Sequence, residues 1–136
     1  MKTAVILSAR QDKDTQIPYP LKPYHKDMCL MDRTIEALTA LDYTDIYLVV
    51  GGQAQMYHKY ASDHVHLVLN PDYKFTSSMG SLACVAPYIK EDFLLVEGDT
   101  FYEYKVLKAL SETKNENCFA ITEESGSGDE AFVETK

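Results

Sequence analysis

TAVILSARQDKDTQIPYPLKP, residues 3–23, sets an apolar strand against a loop that is polar, rich in proline and free of glycine. Thr3 to Leu7 is a short continuous apolar run, the pattern of a strand buried on both faces of a sheet. The loop that follows carries Pro18, Pro20 and Pro23. Pro20 and Pro23 fix their own φ angles, and each pushes its preceding residue, Tyr19 and Lys22, toward extended backbone. Lys22 is thereby held on a stiff segment beside a strand's carboxyl end. There it is either a point charge for phosphate or an ordinary surface lysine.

Outward from this stretch, strand and helix signals alternate. Cys29 to Leu41 is helical in pattern, with Leu30, Ile35, Leu38 and Leu41 on one side and Asp32, Arg33 and Glu36 toward the other. Asp45 to Val50 is a second strand, stopped by Gly51-Gly52, and Gln53 to Tyr60 suits a short helix. Val65 to Leu69 makes a third strand, ended by the turn signal Asn70-Pro71-Asp72. Ser78 to Ile89 is the next expected helix, Phe93 to Val96 a fourth strand, Glu103 to Thr113 a helix and Cys118 to Thr122 a fifth strand. Such alternation predicts parallel βαβ units in a doubly wound α/β sheet of Rossmann-like topology. Crossovers should be right-handed, and ligands should sit beyond the carboxyl ends of the strands. Glu123 to Lys136 is acidic and rich in glycine and serine, turns β-like at Ala131-Phe132-Val133, and stops without a closing element. The expectation is a single domain over 1–136, truncated at its C-terminal end and continued in a longer polypeptide.

Composition narrows the function. At 136 residues, 46% hydrophobic and 25% charged, the chain has the balance of an ordinary globular domain. Its formal net charge of −8, from 21 acidic and 13 basic residues, excludes the basic footprint of a duplex-DNA binder. It does not exclude a nucleotide, which a few local cations and a metal can hold. Ten tyrosines without a basic stripe are packing and rim residues rather than a stacking platform for nucleic acid. Cys29, Cys84 and Cys118 are odd in number and set in apolar segments, as free buried thiols in a reducing cytoplasm are. No apolar run approaches the ~20 residues that span a bilayer, and no signal-peptide pattern opens the chain.

Three loops at carboxyl ends of expected strands carry the unusual chemistry. The first holds Lys22. The second, Glu97-Gly98-Asp99, places an acid just past a buried strand, where a carboxylate holds Mg²⁺ or simply ends a turn before the next helix. The third runs from Asn70 through Thr76-Ser77-Ser78 to Gly80-Ser81-Leu82. Its hydroxyls at a helix start offer donors to an anion or a base, or else cap the helix. Other candidates are weaker. His64 and His66 share a strand face without a third ligand, Ser81 lacks histidine and acid partners, and Gly51-Gly52 follows the second strand rather than the first.

Taken in order, the three loops resemble a known family. Lys2-Thr3-Ala4-Val5-Ile6-Leu7-Ser8-Ala9, Pro20-Leu21-Lys22-Pro23 and Asp32-Arg33-Thr34-Ile35-Glu36-Ala37-Leu38 are similar to the opening of sugar-phosphate-type nucleotidyltransferases. Asp45 to Gly52 is similar to the family's second strand and turn. Asn70-Pro71-Asp72-Tyr73 with Ser78 and Ser81-Leu82, and Phe93 to Asp99, look most like its choline-phosphate cytidylyltransferase-like branch. The resemblance runs to about Val133 and rests on order and spacing rather than on one motif.

The resemblance implies an enzyme in which an acceptor phosphate oxygen attacks the α-phosphorus of an NTP, CTP for this branch, and pyrophosphate leaves. It implies Lys22 and Arg10 as catalytic residues and Ser8, Ala9, Gly51, Asn70, Ser78 and Ser81 as nucleotide-binding residues. Asp99 would be the ligand of a Mg²⁺ cofactor. The acceptor would be a small phosphate or phosphonate, with no nucleic acid and no membrane as partner. A second metal acid and the acceptor pocket lie late in the family fold, beyond Lys136, and an open sheet edge leaves a homodimer as a further expectation.

One departure stands out. Where the family has Gly-x-Gly-x-Arg, this chain has Arg10-Gln11-Asp12-Lys13-Asp14. The glycines let backbone amides close around a triphosphate; without them, side chains such as Arg10 or Lys13 must serve. Two rival readings therefore stand beside the enzyme: a catalytically degenerate nucleotide-binding module, and an unrelated doubly wound regulatory domain.

Overall fold

The strand from the opening stretch runs through the middle of a parallel sheet, which explains its unbroken apolar character. In the computed structural model, residues 2–10, 16–128 and 131–135 are described. In chain order the elements are β1 (Lys2–Ser8), β2 (Pro23–His25), β3 (Met28–Cys29), α1 (Leu30–Ala40), β4 (Tyr43–Val50), β5 (Val65–Leu69), α2 (Ser78–Val85), β6 (Phe93–Glu97) and α3 (Tyr104–Glu112). Short 3₁₀ helices occupy Tyr19–Leu21, Ala54–Tyr60 and Ala86–Tyr88.

The four long strands form one parallel sheet in the order β5-β4-β1-β6. Ser8 is in register with Val50, Leu7 with Glu97 and Val50 with Leu69, so the four carboxyl ends finish along one rim. Alternation along β1 divides the core. Ala4 and Ile6 join Met31 and Leu38 of α1, Leu107 of α3 and Tyr57 on one face. Val5 and Leu7 pack with Val49 and Val85 of α2 on the other. Helices on both faces of a parallel sheet are the doubly wound architecture expected from the alternation.

α1 starts where Asp32 reaches back to its N-cap: the Cys29 backbone N–H donates to Asp32 Oδ2 at 3.1 Å and the Tyr60 hydroxyl to Oδ1 at 2.7 Å. Burial works against the Asp32 carboxylate, but the bonds from Tyr60 and Cys29 outweigh it and hold its pKa below the ordinary value.

Several expectations need correction. Cys118–Thr122 forms no strand: Phe119 and Ile121 are exposed, and no described strand pairs with the segment. Its aromatic and β-branched residues supply propensity, but a strand exists only against a neighbour. The helix expected over Ser78–Ile89 ends at Val85 and tightens into 3₁₀ geometry through Pro87, which has no N–H to continue the ladder. All three cysteines are unbridged, yet only Cys29 is buried, while Cys118 is exposed. The β2–β3 hairpin was not expected. Among the described residues, no helix is long and apolar enough to cross a membrane.

Candidate functional site

The chain leaves β1 to build β4 and β5 on one side, then returns to place β6 on the other. At such a switch point the loops diverge and leave a crevice beyond the strand ends. Here the crevice is a cavity of about 720 Å³. Leu7, Ser8, Ala9 and Arg10 line it from the end of β1, and Tyr19 and Pro20 from the proline-rich loop. Tyr73 and Lys74, with the hydroxyls of Thr76, Ser77, Ser78 and Ser81, line the wall around the start of α2. Glu97 and Asp99 complete it from the end of β6.

Gly98 brings the two strand ends together. Its N–H donates to the Leu7 carbonyl at 2.7 Å, and a Cβ at this position would lie 2.8 Å from Ser8 Oγ and 2.9 Å from that carbonyl. Only glycine permits this approach, and it sets the acids of β6 beside the end of β1. Arg10 Nη1 lies 3.8 Å from Asp99 Oδ2, with the two side chains 82% and 41% exposed. An ion pair so solvated contributes little to stability. Glu97 stands differently. Burial pushes its pKa up, the hydrogen bond with the Ser78 side chain opposes that, and the charge of Asp99 raises it further; the net direction is upward.

The hydroxyl wall is organised from behind by Asn70, which is 1% exposed. Its Nδ2 donates to Thr76 Oγ1 at 2.9 Å and to Ser81 Oγ at 3.0 Å, while Oδ1 accepts the Asp72 N–H at 3.0 Å. Its own backbone N–H donates to the Val50 carbonyl at 2.9 Å, tying the loop to the end of β4. Ser77 is the N-cap residue of α2 but makes no side-chain capping bond. Plain capping therefore does not account for its hydroxyl. Gly51 is buried behind Tyr73: any side chain there would collide with the Ala9 carbonyl and the Tyr73 ring.

Six of the nine residues singled out from the sequence, Ser8, Ala9, Arg10, Ser78, Ser81 and Asp99, come together around the cavity. Lys22, Gly51 and Asn70 are not among its lining residues. Asn70 and Gly51 stand behind the wall and shape it. Lys22 closes the Tyr19–Leu21 turn with its N–H on the Tyr19 carbonyl at 3.2 Å, in the extended conformation (φ −70°, ψ 127°) that Pro23 imposes. It sits two residues beyond Pro20, just outside the lining. Asp12, Lys13 and Asp14, which bear on the missing glycines, lie outside the described residues.

Sequence reasoning missed Tyr19, carried Tyr73 only within the Asn70–Tyr73 resemblance without assigning it to the site, and set Glu97 aside as a neighbour. The paired glycines at 51–52 were the available signal for Tyr73, since two small residues at a strand end leave room for something large. His64 and His66 have other employment, on the Thr44 carbonyl at 3.1 Å and Asp45 at 3.0 Å. Among the described residues, no three His, Cys, Asp or Glu side chains gather into a metal-binding cluster.

No protein-family model matches the chain. Over 99 residues, 69% of this chain and 16% of the relative, it is 28% identical to CMP-5'-(3-aminopropyl)phosphonate synthase of Streptomyces rubellomurinus. Among solved structures it is similar to the inositol-1-phosphate CTP transferase from T. maritima, with a TM-score of 0.64 and 21% identity over 81% of this chain and 48% of that one. The chain thus spans less than half the length of either protein. Both are named for cytidine-nucleotide chemistry, and the resemblance to nucleotidyltransferases drawn from the sequence is borne out. The mainly parallel, Rossmann-like fold is shared with the solved transferase.

Proposed function

We propose that the cavity binds a nucleoside triphosphate, CTP in preference to the others, for transfer of CMP to a small phosphate or phosphonate acceptor. One observation carries this reading. At the switch point of a fold shared with a CTP transferase, Arg10, the uncapped start of α2 and the Glu97–Asp99 acids face one cavity. In the reaction an acceptor oxygen forms a bond to the α-phosphorus, the bond from that phosphorus to its bridging oxygen breaks, and pyrophosphate departs with the electron pair. There is little covalent work for the protein, so positioning and charge neutralisation dominate.

Arg10 is the cation for the phosphates, and the Thr76–Ser81 hydroxyls and α2 amides are donors to phosphate or base. Lys22, two residues beyond the lining residue Pro20, adds a second charge. Glu97 and Asp99 are hard oxygen donors, and one or two carboxylates completed by substrate phosphates is the set Mg²⁺ usually takes. When bound, that ion stabilises charge on the transferring group and on the leaving pyrophosphate. A second reading, nucleotide binding without turnover, is favoured by the absence of glycine from the loop after β1.

The test is pyrophosphate release with CTP, UTP, GTP and ATP in Mg²⁺, over a panel of phosphate and phosphonate acceptors, beside direct nucleotide titration. CTP-dependent release is the expected result. A preference for UTP or GTP removes the cytidylyl assignment, tight CTP binding without release supports the second reading, and no nucleotide binding removes both.

A further inference from the structure

The β2 arm of the β2–β3 hairpin has little to hold it, whereas β3 is seated in the core through the buried Cys29. Pro23, Tyr24 and His25 are all exposed, and its pairing consists of Pro23 with Cys29 and His25 with Met28, with an irregularity between. An isolated two-stranded hairpin is marginal in water, so its position must be set from outside. The anchor on the β2 side is an aromatic–cation cluster at Tyr24. The Tyr24 ring meets the Phe101 ring edge to face, centroids 6.4 Å apart at 88°, and the Arg33 guanidinium of α1 lies over the Phe101 ring at 4.4 Å. Phe101 is 54% exposed, far more than burial in a core would leave it. Its neighbour Tyr102 turns the other way and accepts the Glu97 backbone N–H on its hydroxyl oxygen at 3.2 Å.

We propose that Phe101 is a positioning residue that couples the hairpin to the acidic loop and so fixes Lys22 relative to Asp99. The sequence offsets are short: Lys22 is two residues before Tyr24, and Asp99 is two before Phe101. A ring contact between Tyr24 and Phe101 therefore ties together the two segments whose charges must meet one phosphate chain. Arg33 locks the pair to α1, whose N-terminus follows directly from the hairpin. Lys22 lies outside the lining, between the exposed β2 arm and a turn seated by the buried Pro20 and the core-packed Leu21, so the hairpin sets its approach to the cavity from one side. This inference rests on the nucleotide reading of the cavity.

The test is a double-mutant cycle read by Mg²⁺-dependent CTP binding. Phe101→Leu keeps apolar bulk but loses the ring, and it should weaken binding about fivefold, the scale of a cation–π and ring contact. In a Lys22→Ala background the same change should cost less than about twofold, because the coupling has lost its object. Phe101→Tyr should restore wild-type affinity, and Arg33→Gln, a milder route, should repeat the loss. Ring-current shifts of the Arg33 side chain, present in wild type and lost in Phe101→Leu, report the cluster without nucleotide. Equal losses in both backgrounds, or intact binding in Phe101→Leu, overturn the inference alone. A wild type that binds no CTP overturns the nucleotide reading and this inference with it.

Discussion

Two walls of one cavity are built on opposite terms. The loop from Asn70 to Ser81 meets its polar needs internally: Asn70 is buried, and Thr76, Ser81 and the Asp72 N–H all bond to its side chain. At the end of β6 the charges are poorly matched. Glu97 is held with its pKa raised by burial and the nearby Asp99, and Asp99 itself has a solvated arginine at 3.8 Å. A satisfied buried network is architecture, whereas acids kept close together at a cost to stability are characteristic of functional sites. The difference can be broken by substitution: a change at Asp99 should cost function and leave the fold, and a change at Asn70 should cost the fold.

The largest effect is expected at Asp99. Asp99→Asn keeps size and shape but removes the charge a hard cation requires, so kcat should fall on the order of 100-fold or more. Stability should stay within about 0.5 kcal/mol, since the side chain is exposed and its ion pair solvated. The measurement is kcat over a Mg²⁺ series, with melting temperature as the folding control. Near-wild-type turnover at low Mg²⁺ would remove Asp99 from the site and erase the contrast between the walls.

Asn70→Ala is the complementary case. It strips partners from the buried Ser81 hydroxyl, from Thr76 and from the Asp72 N–H, and should destabilise by about 2 kcal/mol. Denaturant unfolding of both variants checks it. A stability loss at Asp99 equal to that at Asn70 would show that the two walls are built alike.

What could be read from the sequence follows the same division. The strands were legible because burial on both faces leaves a continuous apolar run, as Ala4 to Leu7 and Ile46 to Val50 show. The cavity's location was legible because strand ends and loop chemistry coincide. The hairpin escaped because two or three residues such as Pro23–His25 and Met28–Cys29 carry no period. Cys118–Thr122 misled for the opposite reason, having apolar strand formers but no described strand beside it. Asn70 was legible as a residue that matters, but its orientation was not. Whether a polar side chain faces a cavity or ties its wall from behind depends on contacts eleven residues away at Ser81, which no local pattern encodes.

The smallest effect, and the finest test of the contrast, lies at Glu97. Burial, followed by the Asp99 charge, raises its pKa in the folded protein against the Ser78 hydrogen bond, so the folded state holds the proton more tightly than the unfolded chain does. The sign follows from linkage: for an acid with a raised folded pKa, stability is greatest below the ordinary value of 4.5 and declines as pH rises through the raised one. Glu97→Gln removes that decline while keeping an oxygen that can accept from Ser78. The variant should therefore melt higher than wild type at pH 7, by roughly 3 °C or less for a chain of this size, with the gain vanishing near pH 4. Thermal melts of the two proteins across that range supply the measurement. If glutamine destabilises at pH 7, the Glu97 carboxylate is well served where it stands. The acidic wall is then as fully satisfied as the one built on Asn70. If the gain appears and catalysis falls with it, the strain at the end of β6 belongs to the chemistry of the site.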